Sequence, residues 1–478
     1  MKKIAIALLG ILLVISCKTE KKESVKNTEE TTKEIAGISP EIMESAVIYE
    51  ANIRQYSTEG SFDAFTKDIP QLKKLGVKII WIMPIFPISE TKRKATGGDF
   101  ASKIEDPEER KKALGSYYAV SDFTKVNPEF GTIEDFRELL KTAHDNDIYV
   151  ILDWVPNHTG WDHTWLKSNL EFYVKNSKGE ITDPLNEDGT SKGWGDVAQL
   201  DYTNELMQET MIKDMLYWVD KENTDGFRCD HIEPIPVSFW EKAIPQLREK
   251  RSLFMLAEND EPRFLKGNLF DMGYGWKAHH LMNDIANGKK TVKDWDKLID
   301  QLNKTYDTDD IIMNFITNHD ENSWAGTVTE RLGDAKETML ALSYITSGMP
   351  LIYSGQEYDM SHRLKFFEKD SIPKIKGKTW NVLEKLGALK NLNPALNGGK
   401  NAASYKRINT DNSATILIIE RAKDDEKIVF IANLSNESTS FSSPIVGSFN
   451  DYMNNSEFSL KENQQLTFKP WEYKIIVN

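Results

Sequence analysis

Four short stretches of the 478-residue chain place acids, histidines or an arginine directly after apolar runs. They are Asp153-Trp154-Val155-Pro156-Asn157-His158, Gly226-Phe227-Arg228-Cys229-Asp230, Leu256-Ala257-Glu258-Asn259-Asp260 and Phe315-Ile316-Thr317-Asn318-His319-Asp320. Carboxyl groups in this setting suit glycosidic bond cleavage. That reaction needs one carboxyl to protonate the leaving oxygen and another to attack, or to activate water against, an oxocarbenium-like centre. Asp230, Glu258 and Asp320 can supply them. Arg228, two residues before Asp230 on one strand, points to the same side and should keep that carboxylate ionised as a nucleophile. Glu258 has the opposite requirement, and crowding by neighbouring carboxylates should raise its pKa so that it holds a proton for the leaving group. One acid after a strand is more often a helix cap or a solvated residue, so the weight rests on the ordered set. Cys229 reads as a small buried hydrophobe with no chemical task.

For these clusters to meet, the segments before them must be strands of one closed sheet. Short apolar runs alternate with amphipathic segments from Ala46 onward, the order of repeated βα units. The runs are Val47 to Tyr49, Val77 to Met83, Ile148 to Trp154, the neighbours of Phe227, Leu253 to Ala257, Ile311 to Ile316 and Pro350 to Tyr353, with a weak eighth near Leu269-Phe270. Between them, Phe62, Phe65, Ile69, Leu72 and Leu75 recur at helical steps up to Gly76, and Thr132-Ile133-Glu134-Asp135 opens a second helix with a cap-like start. The fold expected is therefore an α/β class (β/α)8 barrel over 41–393, whose strand C-termini carry the chemistry. The stretch 157–204 is too long for a simple βα loop and reads as a small inserted domain. From 394 to 478 short alternating runs predict a C-terminal all-β sandwich, with a structural role favoured over sugar binding.

The four clusters, in this order, resemble the signature regions of the α-amylase family, glycoside hydrolase family 13, and the resemblance covers most of the chain from Ala46. It implies that Asp230 is the nucleophile of a retaining double displacement, Glu258 the general acid/base, and Asp320 the acid that grips sugar hydroxyls. It further implies that His158 and His319 hydrogen-bond the same sugar ring and that Tyr118, in Tyr117-Tyr118-Ala119-Val120-Ser121-Asp122-Phe123, stacks on it. Gly348 to Glu357 is similar to the family's eighth strand and the turn after it. Many members carry calcium beside the asparagine matched by Asn157, so a calcium ion held partly by Asn157 is an expectation. Two departures weaken it: Pro234 stands where a histidine is frequent, and Gln199 where an acid is frequent. No organic cofactor is implied. Trp154, Trp161, Trp165 and Trp194 are candidate sugar platforms, each equally suited to core packing. His231, directly after Asp230, has no assigned role.

Composition agrees with a large folded enzyme: 40% of residues are hydrophobic, and the formal charge of −14 with no long Lys/Arg run argues against a nucleic-acid partner. Lys2-Lys3, the apolar run Ile4 to Ile15 and Ser16-Cys17 match a signal peptide over 1–17, and Val14-Ile15-Ser16-Cys17 resembles a loosened bacterial lipobox. On that reading Cys17 is acylated, 18–40 is a flexible tether, and the protein is a secreted lipoprotein anchored to the outer membrane, at the surface or the periplasmic face. With Cys17 acylated, Cys229 is left without a disulfide partner. No heptad seam drives assembly, so a monomer is expected. The function expected is endo-acting hydrolysis of α-1,4 bonds in starch- and glycogen-type α-glucans. Competing readings are a transglycosylase, an α-1,6- or pullulan-cleaving enzyme and, from another class, an inactive glucan-binding surface protein.

Overall fold

The computed structural model describes residues 36–477. Cys17, the signal segment and most of the stretch 18–40 lie outside the described residues. Eight parallel strands close into a barrel in the order β1 (Val47–Ala51), β10 (Met349–Tyr353), β9 (Ile311–Asn314), β8 (Met272–Tyr274), β7 (Phe254–Ala257), β6 (Gly226–Cys229), β3 (Tyr149–Trp154) and β2 (Val77–Ile82). A strand turns alternate side chains to opposite faces. Ile48, Ile79, Trp81, Ile151, Leu256, Met272 and Met313 accordingly fill the barrel interior as one apolar cluster. The outward rows, with Tyr49, Ile80, Leu152 and Phe227 among them, pack under the helices.

Two sequence-based expectations gain detail. The weak run near Leu269-Phe270 does lead into a strand, Met272–Tyr274. Leu269 and Phe270 are buried in the preceding loop, where Phe270 packs edge-on to Trp240, and the Asp271 carboxylate accepts from Met255 N–H and pairs with Arg248 at 2.8 Å. The strand starts only past that anchor. The apolar helix face from Phe62 to Leu75 is buried throughout, yet it is carried by two short helices, Phe62–Thr66 and Ile69–Leu72, and a tight turn at Lys73–Leu75. Pro70, in the first turn of the second helix, has no N–H to continue the first. Gly76 ends the run with φ 78°, and its Cα side lies so close to Gly387 that a Cβ there would sit 2.6 Å from the Gly387 Cα. The helix Ile133–Asp145 opens with a reciprocal capping box between Thr132 and Asp135.

Between β3 and the helix Glu205–Asp220, the chain leaves the barrel and forms an antiparallel ribbon of β4 (His158–Gly160) and β5 (Val197–Gln199). After the helix Lys378–Leu392 comes an antiparallel six-stranded sheet. It uses β11 (Ser404–Ile408), β12 (Ile416–Lys423), β13 (Glu426–Asn433), β15 (Gly447–Asp451), β16 (Ser456–Leu460) and β18 (Tyr473–Val477), with β14 (Thr439–Ser442) and β17 (Gln465–Phe468) paired separately. Its two faces do different work. Ile416, Ile418, Val429 and Ile431 face the β14–β17 pair, while Leu417, Ile419, Phe430 and Ala432 join the core shared with the barrel. That double burial explains why β12 begins as an uninterrupted apolar run.

Candidate active site

The inward alternation that builds the barrel core also aims its polar rim. Two residues beyond interior Ile48, Ile151 and Leu256 come Glu50, Asp153 and Glu258, while Gly226, Arg228 and Asp230 continue one inward row of β6. Gly226 has φ 144°, and a Cβ there would collide with the Phe254 carbonyl at 1.9 Å, so only glycine lets β6 approach β7 this closely. Asp230, Glu258, Asp320, Tyr118, His158 and His319 all line one cleft of about 920 Å³ at the strand C-termini.

Arg228 is the hub beneath it. Fully buried, it donates from Nη1 to Asp153 Oδ1 and to Asp230 Oδ1, both at 2.8 Å, and from Nε to the Tyr274 hydroxyl at 3.1 Å. Its Nη2 lies 2.8 Å from Glu258 Oε1. The guanidinium also lies 4.8 Å from the centre of the Trp81 ring. Asp153 in turn accepts from Trp81 Nε1 and the Tyr118 hydroxyl, each at 3.1 Å. His319 completes the floor. Its Nδ1 is 2.5 Å from Glu50 Oε1, its Nε2 is 2.9 Å from the Tyr118 hydroxyl and 3.5 Å from Asp320 Oδ2, and its ring stacks on that of Tyr118 at 5.7 Å. Burial opposes a charge on His319, but Asp320 and Glu50 outweigh it and lift the pKa to about 9. Burial raises Asp153 to about 6 against the pull of Arg228, and holds His158 neutral, down to about 3, with His231 adding to the effect. Asp320 sits at the start of a π turn, Glu321–Ala325, which brings Trp324 Nε1 to 3.1 Å from its Oδ1.

Two parts of the cleft rim are tied across it. Lys94 pairs with Asp196 of the inserted segment at 3.1 Å, and Thr96 donates to Glu368 at 2.5 Å. The segment after β2 thus joins the inserted ribbon on one side to the loop after β10 on the other.

A family model described as alpha amylase, catalytic domain, matches residues 23–266. This chain belongs to the alpha-amylase family. Among curated relatives, an alpha-amylase of Haloarcula japonica is 22% identical over 420 residues, covering 85% of this chain and 58% of its own length. A cyclomaltodextrin glucanotransferase of Thermoanaerobacterium thermosulfurigenes is 26% identical over 407 residues, 77% of this chain and 53% of its own. The chain thus spans little more than half the length of these relatives. Among solved structures, an alpha-amylase from Lactobacillus plantarum superposes with a TM-score of 0.78 at 26% identity, over 92% of this chain and all of that one. A noncanonic maltogenic alpha-amylase from Thermotoga neapolitana superposes with a TM-score of 0.78 at 25% identity, over 91% and 99%.

Against this family background, three sequence-based expectations take a more detailed form. The first concerns protons. The expected Arg228–Asp230 pair is present, but Arg228 serves Asp153 and Glu258 as well. Burial and the adjacent Glu258 carboxyl push Asp230 well up, because Arg228 divides its charge among three carboxylates. Burial acts on Glu258 too, but Arg228 and the His231 N–H at 2.7 Å outweigh it and hold Glu258 below its ordinary value. The two carboxyls are neighbours on one guanidinium, so their titration belongs to the pair. The second concerns tryptophans. Trp154 and Trp165 are core residues, and Trp161 is capped by the Lys92 ammonium 3.3 Å above its ring, so of the four candidates only Trp194 lines the cleft. Trp276, Trp324, Phe366 and Phe367 line it instead, all unforeseen. The third concerns calcium. Asn157 Nδ2 faces His158 Nδ1 at 3.2 Å, and Gln199 Oε1 accepts from Leu185 N–H. Calcium favours several oxygen ligands, preferably charged. Among the described residues, the group of three acids close enough to share an ion is Asp307, Asp309 and Asp310, which does not include Asn157. Cys229 is a buried thiol raised by its burial, as expected of an inert residue.

The residues missed by sequence reasoning are Glu50, Asp153 as a structural acid, Trp81 and Tyr274. Each lies on the inward row of its strand, and that alternation was the signal available.

Proposed function

We propose that this chain hydrolyses α-1,4 bonds of starch- and glycogen-type α-glucans by a retaining double displacement. One observation carries the reading: the Asp230 and Glu258 carboxyls lie within hydrogen-bonding reach of each other on one buried guanidinium inside the cleft. Inverting hydrolases need their carboxyls roughly 6.5–9.5 Å apart to admit a water, whereas retaining ones keep them at roughly 5 Å. One proton held by the pair would suit this chemistry. A glycosidic oxygen entering between the two groups separates them, Asp230 on Arg228 becomes the ionised nucleophile, and the proton goes with Glu258 to the leaving oxygen. Asp230 then forms the glycosyl ester, the leaving sugar departs with the proton, and Glu258 takes a proton from water as it attacks. Tyr118, His158, His319 and Asp320 hold the ring being transferred, His319 as a charged donor.

Transfer to a second sugar in place of water is the competing outcome, favoured by the glucanotransferases among the relatives. The same chemistry serves both, and the acceptor decides. Val14-Ile15-Ser16-Cys17 supports an acylated, outer-membrane-anchored form that meets its polymer outside the cytoplasm.

The test is reducing-sugar release from soluble starch, pullulan and trehalose by the soluble domain beside Asp230→Asn, with products sized over time. Release from starch that vanishes in Asp230→Asn, with α-configured products first, is the expected result. Release from pullulan alone moves the assignment to α-1,6 chemistry, and no release from any substrate sinks the hydrolase reading. Labelled palmitate entering the full-length chain, but not Cys17→Ser, tests the anchor.

A further inference from the structure

His231 follows the nucleophile directly and takes no part in the displacement. Its backbone is in the left-handed region, φ 41°, an uncommon conformation for a residue with a Cβ and one held only where the surroundings fix it. That twist aims the His231 N–H at Glu258 Oε2, 2.7 Å away. The ring is fixed from the other side of the cleft. Lys192 lies on the inserted segment, where Lys192 N–H donates to Pro184 O at 2.8 Å, and its Nζ is 2.9 Å from His231 Nε2. An ammonium only donates, so Nε2 is the acceptor and the His231 ring is neutral. Trp194, two residues on, stands edge-on to His231 at 5.0 Å and to His158 at 5.9 Å, and lines the cleft. Among the described residues Lys192 has no carboxylate within ion-pair distance, so its charge is directed at the imidazole.

We propose that Lys192 acts through His231 as a positioning residue for Glu258, and that His231 and Trp194 form the wall that receives the sugar on the leaving-group side. The inference rests on Glu258 being the acid/base. The proton acceptor in the first step is the glycosidic oxygen, so the departing sugar must lie beside Glu258, where the His231 and Trp194 side chains stand. An indole face packs on the apolar face of a pyranose. The inserted segment thereby contributes to the reaction as well as to the rim. The charged and titratable groups around His231 are Lys192, Glu258, Glu233 and Arg228, and burial together with Lys192 keeps its pKa low against the two acids.

The experiment compares kcat/KM on maltooligosaccharides, whose leaving sugar needs a proton, with that on α-maltosyl fluoride, whose departing fluoride needs little. Lys192→Met is expected to lose about tenfold on the oligosaccharides and less than about twofold on the fluoride, because only proton delivery by Glu258 is impaired. Lys192→Arg, which keeps a donor to Nε2, restores most of the loss. Trp194→Ala raises KM for the oligosaccharides and leaves the fluoride unchanged. Equal losses on both substrates in Lys192→Met point to a purely structural contact and overturn the inference, as does no loss on either. A wild-type protein inactive on both substrates overturns instead the hydrolase reading beneath it.

Discussion

The two sides of the cleft are built differently. Its floor comes from barrel strands and the turns just after them. Glu50, Asp153, Arg228 and His319 are all buried and joined by bonds of 2.5–3.5 Å into one network. The proposed leaving-group wall is made of half-buried Trp194, on the inserted segment, and His231, with Lys192 of that segment bonded to the His231 ring. Strand alternation can aim a side chain into the barrel without any help from a loop, so the buried network sits there. Discrimination between acceptors needs adjustable groups, and these sit on connections.

The sharpest way to break the contrast is to remove the hub. Arg228→Met leaves Asp153, Asp230 and Glu258 together in a buried space without the guanidinium they share, with His319 as the nearby charge that remains. Removing one partner of a buried pair costs roughly 3–5 kcal/mol, so a large fall in Tm is expected alongside at least a hundredfold fall in kcat. Both are checked on one preparation, by thermal melting and by starch hydrolysis. A variant that melts like the parent would show that the floor is no more integrated than the wall.

A second variant probes the floor by pH. His319 is held at about 9 by Asp320 and Glu50 against its burial. Its folded pKa therefore exceeds the ordinary value of about 6.5. The charged ring is fully present below that ordinary value and lost as pH rises through about 9. Glu50→Gln removes one of the two acids, so the His319 pKa falls and the alkaline limb of kcat/KM moves to lower pH, while the acid limb stays. A limb that stays in place would assign alkaline loss to another group.

The same contrast governs what could be read from the sequence. Asp230, Glu258 and Asp320 were legible because an acid after an apolar run, repeated in order, marks strand ends. Glu50 was not, although it also follows an apolar run, because its partner His319 lies 269 residues away and one acid in Val47–Ala51 carries no pattern. The start of β8 past Asp271 escaped because Leu269 and Phe270 are as apolar as a strand, and only Arg248 and the Met255 N–H reveal a loop anchor. The titration of the Asp230 and Glu258 pair depends on how Arg228 divides among three acids, a matter of distances with no sequence signature. Lys192 and His231, 39 residues apart in different elements, are another such case.

The smallest expected effect lies where floor and rim meet. Trp324 is 55% exposed, yet its Nε1 donates to Asp320 Oδ1 at 3.1 Å, and its ring packs near Phe366 at 5.2 Å and Phe367 at 6.0 Å. The π turn Glu321–Ala325 makes this possible by bringing the indole back over Asp320. Trp324→Phe keeps an aromatic face and deletes the N–H. A hydrogen bond to a half-exposed carboxylate is worth about 1 kcal/mol, so kcat/KM should fall about fivefold. If Trp324 acts only through Asp320, Trp324→Ala should match Trp324→Phe. If the ring also carries sugar, Trp324→Ala loses several-fold more and the extra loss appears in KM, growing with the length of the maltooligosaccharide. Equality of the two variants would confine the wall-like, adjustable character of the cleft to the leaving-group side. A length-dependent difference would extend it to Trp324, Phe366 and Phe367, leaving only the buried network around Arg228 as the fixed part of the site.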